Sequence, residues 1–346
     1  ELQPAVAGAL AGKARIACHN RDTAAAAELA DRALAEDDQM VDAWIVKGQL
    51  FRDAGKQREA VAAFQKALDI DPFNVPARLG KALSLIMLGE HDNARAEIDL
   101  LLEKHLNFFM THYVKAQNQY QQQQLTQAQE SLQRALRLAP NHPESLLLAG
   151  AINYQQGQLN QSEEHLRKYL DLRPDDRQAA KLLAATLLKL KKPGAAIEVL
   201  EPGIASAADD VQYFSLIGGA YLEHGEAAKG MEYLEKAIAL APDSVNIRTQ
   251  LAMGHLALGE DEQAISELQT VAGLDQGLLQ ADLLLIMTYL RNQDFDNALV
   301  AADKLTAKMP DSPVPDNMKG AAYFGKGDHK AARNSYEAAL EIQPDF

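Results

Sequence analysis

Residues 41–74 read VDAWIVKGQLFRDAGKQREAVAAFQKALDIDPFN, and the pattern of this stretch returns along the chain every 34 residues. The slots that define the pattern hold Trp44, Gly48, Phe51, Ala60, Phe64, Ala67 and Pro72. After a shift of 170 residues, the same slots hold Phe214, Gly218, Tyr221, Gly230, Leu234, Ala237 and Pro242. Prolines at positions 4, 72, 140, 174, 242, 310 and 344 are also separated by multiples of 34. The pattern predicts that residues 1–346 form one continuous array of a single repeat.

Two slots in each repeat hold small residues. One slot reads Ala26, Ala60, Ala94, Ala128, Ser162, Ala196, Gly230, Ala264, Ala298 and Ala332. The other reads Ala14, Gly48, Ala82, Ala116, Gly150, Ala184, Gly218, Ala252, Ile286 and Gly320, so that only Ile286 departs. We expect two helices to pass each other at these slots too closely for a large side chain.

The spacing inside a repeat is helical, because apolar residues of 41–74 recur at i, i+3, i+4 and i+7. A glycine separates the two halves of six repeats, at positions 55, 89, 157, 225, 259 and 327. Glycine takes a positive φ without a Cβ penalty, so it predicts the end of a first helix. The proline slot ends the second helix. No alternation of period two is sustained, so we predict an all-α chain of antiparallel helical hairpins.

This pattern resembles the tetratricopeptide repeat, whose signature is W-x2-L-G-x2-Y…A-x3-F…P. Residues 41–74 match it except at Lys47, where the family has Leu, and at Phe51, where it has Tyr. The resemblance implies a right-handed α-solenoid of about ten hairpins, with repeats starting near residues 7, 41, 75, 109, 143, 177, 211, 245, 279 and 313. Residues 1–4 read as the end of an earlier second helix, and no polar capping helix follows the last proline slot. We therefore expect a fragment of a longer protein.

Composition and charge exclude several classes of partner and site. The net charge is −14, from 34 basic and 48 acidic residues, and such a field repels nucleic acid. A single cysteine, Cys18, excludes a disulfide framework and a multi-cysteine metal site. The longest apolar stretches, such as residues 283–287, are far too short to span a bilayer.

The sequence contains no catalytic constellation. GxGxxG, GxxxxGK[ST], HExxH and GxSxG motifs are all absent from it. His105 and His112 flank a repeat boundary, but no third ligand accompanies them. We therefore expect no catalytic residue, no metal and no cofactor.

The resemblance also implies a binding surface, since first helices line a concave groove in this family. The second, fifth, ninth, twelfth and thirteenth residues of each repeat face that groove. In three consecutive repeats these positions include Leu79, Leu83, Met87, Met110, Tyr113, Gln117, Tyr120, Leu147 and Tyr154. Such a wall accommodates a peptide or a partner helix. The alternative is that many of these side chains only pack against neighbouring first helices.

The sixth repeat is locally basic and offers a second candidate site. Lys181 and Lys189 lie at groove positions and suggest contact with an acidic peptide or an acidic polysaccharide. The alternative is an ordinary solvated face.

Residues 30–72 and 100–150 also resemble the long tetratricopeptide-repeat lipoproteins of bacterial PEP-CTERM/exosortase loci. The distinctive piece is 108–124, which has a Y-x-K-A-x-x-Q-Y pattern at Tyr113, Lys115, Ala116, Gln119 and Tyr120. This resemblance implies a periplasmic, outer-membrane-anchored scaffold for exopolysaccharide export or protein sorting. Its lipid-bearing cysteine would precede residue 1, so Cys18 is not that cysteine.

We therefore predict a non-catalytic scaffold that binds a protein or peptide in the groove of a cell-envelope assembly. One alternative is a cytoplasmic adaptor in pilus or regulatory assembly. The other is the regulatory arm of an enzyme whose catalytic domain lies outside these residues.

Overall fold

The computed structural model describes residues 4–274 and 279–345. All regular structure in these residues is helical, with twenty α-helices and one short 3₁₀ segment. This confirms the predicted all-α array of about ten hairpins. The chain divides into an N-terminal unit, residues 1–174, and a C-terminal unit, residues 175–346, which are described separately.

Each hairpin of the N-terminal unit consists of a first and a second helix. The five pairs are α1 (Pro4–His19) and α2 (Thr23–Glu36), α3 (Val41–Asp53) and α4 (Gln57–Ile70), α5 (Val75–Met87) and α6 (His91–Lys104), α7 (Phe109–Gln121) and α8 (Leu125–Leu138), and α9 (Pro143–Gln155) and α10 (Leu159–Leu172).

The C-terminal unit repeats this arrangement. Its pairs are α11 (Arg177–Lys189) and α12 (Pro193–Leu200), α13 (Val211–His224) and α14 (Ala227–Leu240), α15 (Val245–Leu258) and α16 (Asp261–Gly273), α17 (Leu279–Arg291) and α18 (Phe295–Lys308), and α19 (Val314–Lys326) and α20 (His329–Ile342). A 3₁₀ segment, Glu201–Ser206, follows the short helix α12.

The predicted repeat starts agree closely with these bounds. First helices begin at 41, 75, 109, 143, 177, 211 and 245, as predicted, and the last begins at 314 instead of 313. In the first repeat, Pro4 is the first described residue of α1, which continues to His19. Residues 1–3 and Phe346, at the two ends of the predicted fragment, lie outside the described residues.

Packing in each unit places the first helices in one layer. Every second helix packs against its own first helix, and most pack on the next first helix along the chain. First helices also contact one another directly, in the order α1, α3, α5, α7 and α9 of the N-terminal unit. Their solvent-facing side is called the first-helix face below.

The small-residue slots lie where the two helices of a hairpin touch. A Cβ at Gly48 would lie 2.6 Å from the Phe64 ring, and one at Gly150 would lie 2.6 Å from Leu166. The steric prediction is therefore confirmed. The departure at Ile286 has a physical reason, since Ala302 stands in the slot that holds Phe64 and Leu166 in other hairpins. Ile286 and Ala302 are both fully buried in one cluster, so the large and small residues have exchanged helices.

The turn inside every hairpin uses the left-handed backbone conformation. The six predicted glycines have φ between 72° and 89°. The same slot in the other four hairpins is occupied by Arg21, Gln123, Lys191 and Gln293, with φ between 57° and 61°. A side chain in this conformation costs about 1–2 kcal/mol, because its Cβ crowds the following carbonyl oxygen. Four turns are therefore strained in comparison with the other six.

Replacing Gln123 by glycine is expected to raise the free energy of unfolding of the N-terminal unit by about 1 kcal/mol, because it relieves this crowding. Urea denaturation measures the change. The matched control is Gln121→Gly, at an exposed residue of α7 two positions earlier. It should lower stability by about 0.5–1 kcal/mol, since glycine weakens a helix. Loss of stability in both variants would contradict the assignment of strain to the turn.

Candidate functional site

The nine groove residues predicted in the N-terminal unit lie on three successive first helices, α5, α7 and α9. Met87 is 61% exposed and Leu79 is only 8% exposed. The other seven are half-buried: Leu83, Met110, Tyr113, Gln117, Tyr120, Leu147 and Tyr154. The face is thus neither fully solvated nor part of the core. Whether a partner binds there stays a prediction.

Several of these side chains also pack between helices. Leu79 belongs to a buried cluster with Ile98 and Val114, and Leu83 and Met110 pack against the same cluster. Leu79 is therefore a core residue that a partner would not reach. Tyr113 packs against this cluster and against the next one, which contains Leu132 and Ile152. Its ring joins the apolar cores of consecutive hairpins.

An aromatic group surrounds Tyr113 at the start of α7 and α9. The His142 ring meets the Tyr113 ring edge-on, with centroids 5.2 Å apart, and meets the Phe109 ring at 4.9 Å. His142 Nδ1 accepts the Ser145 backbone N–H at 3.3 Å and so caps α9. Its Nε2 lies 3.1 Å from the Glu144 carboxylate. Because Nδ1 is an acceptor, the proton of the neutral ring is on Nε2, which donates to Glu144.

This environment shifts both titrating groups. Burial lowers the pKa of His142 below 6.5, although the nearby Glu144 carboxylate opposes the shift. Burial and then the Glu144 charge raise the pKa of Tyr113 above 10.0. His142 is therefore a neutral helix cap near pH 7, and Tyr113 keeps its hydroxyl proton.

Polar groups on the same face are only partly paired. The Gln155 side-chain amide of α9 donates to the Tyr120 hydroxyl at 2.8 Å and links two first helices. Gln117 lies one turn before Tyr120, and its Oε1 is buried without a hydrogen-bond donor among the described residues. A buried carbonyl oxygen without a donor costs about 1–3 kcal/mol. Because this oxygen is closed to solvent, a donor from outside the chain does not reach it in this conformation.

The structure does not bring Lys181 and Lys189 together as an exposed pair. Lys181 is 6% exposed, and its ammonium lies 2.8 Å from the Asp210 carboxylate. Asp210 also caps α13 by accepting the Tyr213 backbone N–H at 3.0 Å. Burial raises the pKa of Asp210, but the hydrogen bonds from Lys181 and the Tyr213 backbone N–H, together with the Lys181 and Arg177 charges, outweigh burial, and the pKa is lowered. Lys189, at the end of α11, is exposed.

The C-terminal unit contains a cavity of about 360 Å³ on its own first-helix face, between α13, α15 and the start of α17. Its polar members Ser215, Asn246 and Gln250 were not singled out from the sequence. Ser215 and Asn246 occupy the fifth and second positions of their repeats, which are groove positions. Gln250 occupies a sixth position, which is not one of them. Ser215 Oγ donates to Gln250 Oε1 at 3.1 Å. The cavity has room at Gly219, where a Cβ would lie 3.4 Å from the Gln250 side-chain nitrogen.

The remaining candidates for chemistry are dispersed. In residues 4–274 and 279–345, no three His, Cys, Asp or Glu side chains form a metal-binding group. The buried His112 ring nitrogen lies 2.7 Å from the Leu106 carbonyl oxygen, while His105 is exposed. Burial raises the pKa of Cys18, whose Sγ donates to Gln49 Oε1 at 3.5 Å. Over the part of the chain that the structure describes, no helix has the length and apolar character needed to cross a membrane.

Sequence comparison identifies the repeat. Three family models described as tetratricopeptide repeat match the chain: the first over residues 12–75 and 113–177, the second over 51–117, 153–218 and 221–285, and the third over 317–346. The second model alone matches more than half of the chain. No curated protein gives a significant match.

Solved structures of similar architecture include MamA (41-end) from Desulfovibrio magneticus RS-1, which is 26% identical, with a TM-score of 0.46, and covers 49% of this chain and 95% of its own. YrrB, described as a TPR protein with an unusual peptide-binding site, is 14% identical, with a TM-score of 0.49, and covers 53% and 95%. The APC/C hetero-tetramer Cut9–Hcn1 is 15% identical, with a TM-score of 0.39, and covers 95% and 77%. With TM-scores below 0.5, these likenesses identify neither a partner nor a ligand for this chain.

The lowered pKa of His142 predicts a pH dependence of stability. As the pH falls below 6.5, the unfolded chain takes up this proton before the folded chain does. The contribution of His142 to the free energy of unfolding should therefore be complete above that pH. It should be lost as the pH falls through the pKa of His142 in the folded chain. His142→Asn keeps a capping side chain, as Asn74 does for α5, and should make urea midpoints less dependent on pH. The control His105→Asn changes an exposed histidine of the same unit, and an equal effect of both variants would refute the assignment.

Proposed function

The chain belongs to the tetratricopeptide-repeat family, a scaffold for protein–protein interaction, and from this premise we propose that it binds a partner polypeptide on the first-helix face of its N-terminal unit. We further propose that the chain has no catalytic activity of its own. The observation that carries the proposal is the pair of half-buried tyrosines, Tyr113 and Tyr120, on α7 of that face, with Met87 61% exposed on the neighbouring helix α5.

The surroundings of Gln117 suit a polypeptide. Tyr113 and Tyr120 lie four residues before it and three after it, so all three side chains share one side of α7. The side chains of an extended segment would pack against the two half-buried rings. Tyrosine supplies apolar contact area at a low entropy cost, which is typical of binding surfaces.

Met87 extends this surface to the neighbouring helix α5. Its thioether is flexible and polarisable, and it adapts to the shape of a partner. Its 61% exposed side chain presents apolar area that a partner would remove from water.

Met87→Lys is expected to weaken partner binding at least about tenfold, because the ammonium would have to be desolvated in an apolar contact. Lysine at the C-terminal end of α5 is compatible with the helix dipole, so the fold should be retained. The matched control is Leu100→Lys on α6 of the same hairpin, where the leucine is 46% exposed. Tagged parent protein, cross-linked in its own cells and quantified by mass spectrometry, gives the comparison. Equal loss of partners in both variants would contradict binding on the first-helix face.

We place this scaffold in a bacterial envelope assembly linked to exopolysaccharide export or PEP-CTERM protein sorting. Support comes from the resemblance of 100–150, and of the Y-x-K-A-x-x-Q-Y pattern in 108–124, to the lipoproteins of those loci. An acidic peptide or polysaccharide at Lys181 would have to compete with the Asp210 carboxylate, so Lys189 is the accessible part of that candidate site.

Membrane fractionation of cells that express the parent protein, with radiolabelled palmitate, tests this setting. The proposal expects label in an outer-membrane fraction. Unlabelled protein in the cytoplasm would overturn it and favour the cytoplasmic adaptor. A catalytic domain found elsewhere in the parent chain would favour the regulatory arm of an enzyme.

A further inference from the structure

A cavity of about 240 Å³ lies between α8, α9 and α10 of the N-terminal unit. Its floor is apolar and includes Leu132 and Ile152, while Gln133, Asn153 and His165 line its sides. An apolar protein cavity of about 150 Å³ is enough to bind benzene. This cavity, called the fifth-hairpin cavity below, therefore has room for one six-membered ring.

The C-terminal unit shows what occupies the same place in other hairpins. The slot of Asn153 holds Tyr221 and Tyr289, which stand 68 and 136 residues later. The Tyr221 hydroxyl donates to the Glu201 carboxylate at 2.7 Å, and this bond, then burial, raises the pKa of Tyr221. The Gln269 amide donates to the Tyr289 hydroxyl at 2.7 Å. Each phenol is thus paired with a polar side chain of the preceding second-helix segment.

The fifth-hairpin cavity keeps a polar side chain in the slot that pairs with the tyrosine hydroxyl in the other two hairpins, although Asn153 stands in place of the tyrosine. Glu201 and Gln269 stand 68 and 136 residues after Gln133, so Gln133 occupies the slot that binds the hydroxyl. The slot of His165 holds Tyr233, whose ring stacks on Tyr221 with centroids 5.7 Å apart and planes 6° apart. His165 therefore supplies the aromatic surface on which a ring would rest.

The polar lining of the fifth-hairpin cavity includes Gln129, Asn153 and His165. The Gln129 amide donates to Asn153 Oδ1 at 3.1 Å and to Gln158 Oε1 at 2.7 Å, which holds the short Asn153 side chain on one side. His165 Nδ1 is buried and has no hydrogen-bond partner among the described residues. Burial lowers the pKa of His165, so the imidazole is uncharged at pH 7 and suited to stacking. In the hairpin of Tyr289, the slot of His165 holds Ala301, which offers no ring for stacking. A cavity of about 340 Å³ lies there, lined by Tyr289 and Ala301. The slots of Asn153 and His165 therefore both determine how this space is filled.

We propose that the fifth-hairpin cavity is a binding site for a phenolic ring, whose hydroxyl pairs with Gln133 and whose face stacks on His165 over Leu132 and Ile152. The ring takes the place that Tyr221 and Tyr289 fill in their own hairpins. It comes either from a tyrosine side chain of a partner or from a free phenol. The site is separate from the first-helix face and does not depend on the proposed function.

The test is a titration of the whole chain with p-cresol, the analogue of the tyrosine side chain, followed by the NMR signals of the His165 ring. We expect a saturable ring-current shift of these signals. Toluene, which lacks the hydroxyl, should bind about two- to tenfold more weakly, as should p-cresol to Gln133→Ala. The decisive variant is Asn153→Tyr, which fills the cavity with its own phenol and should abolish the p-cresol shift. Asn153→Ala, which leaves the cavity open, is the matched control and should retain it.

N-acetyltyrosinamide separates the two sources of the ring. Binding of both compounds assigns the site to a tyrosine of a partner, and binding of p-cresol alone assigns it to a free phenol. Absence of any shift with both compounds would overturn the proposal. So would a shift that persists unchanged in Asn153→Tyr. If that variant does not fold, the loss expected in Gln133→Ala decides in its place.

Discussion

The close approach of the two helices in each hairpin is the contact on which the rest of the structure depends. At Gly218 an added Cβ would lie 3.0 Å from the Gly230 carbonyl oxygen, so the two backbones nearly touch. Burial of a large residue beside such a contact, as at Leu234, anchors the pair by excluding water. Because this contact recurs every 34 residues, it determines which side of each helix faces its partner. The remaining positions then belong to one of the two surfaces of the array.

Residues on these two surfaces differ in how freely they can be substituted. First helices pack on one another, so their outward positions are shared between packing and recognition, as Tyr113 illustrates by joining two buried clusters. The crevices between second helices are filled hairpin by hairpin, and one substitution there alters a single crevice. Asn153 changes only the space around itself, while the hairpin remains held together by Gly150 and Leu166. A repeat protein can thus acquire a local site without losing its architecture.

Most of the fold could be predicted from the sequence, because the repeat displays each steric requirement many times. Small residues in the same slot of ten repeats would rarely arise by chance, and the glycine turns follow from one backbone conformation. What could not be predicted depends on single side chains and their neighbours. Lys181 lies at a groove position but is buried by its pairing with Asp210, a residue 29 positions away. Similarly, Leu79 is buried in a cluster with Ile98 of its own hairpin and Val114 of the next, which helical spacing alone does not reveal.

The sixth hairpin departs from the repeat at its second helix, and the sequence carried the signal. Pro202 lies where the other second helices continue, and α12 ends at Leu200 before a 3₁₀ segment. The Tyr213 hydroxyl donates to the Leu200 carbonyl oxygen, and a Cβ at Gly203 would lie within 2.2 Å of that hydroxyl. A proline alone indicates a break in the helix. The tyrosine that fills the space lies in the next hairpin, so the break could be predicted but its packing could not.

The mixture of glycine and non-glycine turns gives the array an uneven local stability. A turn strained by about 1 kcal/mol makes opening of its hairpin roughly fivefold more frequent, if the packing of neighbouring hairpins is equal. The first, fourth, sixth and ninth hairpins carry such turns, so their amide hydrogens should exchange with solvent sooner than those of hairpins closed by glycine. The strained turns are distributed along the chain with at least one unstrained turn between them. The fourth, sixth and ninth hairpins each lie between two hairpins with glycine turns, so their local opening is bounded on both sides by more stable hairpins.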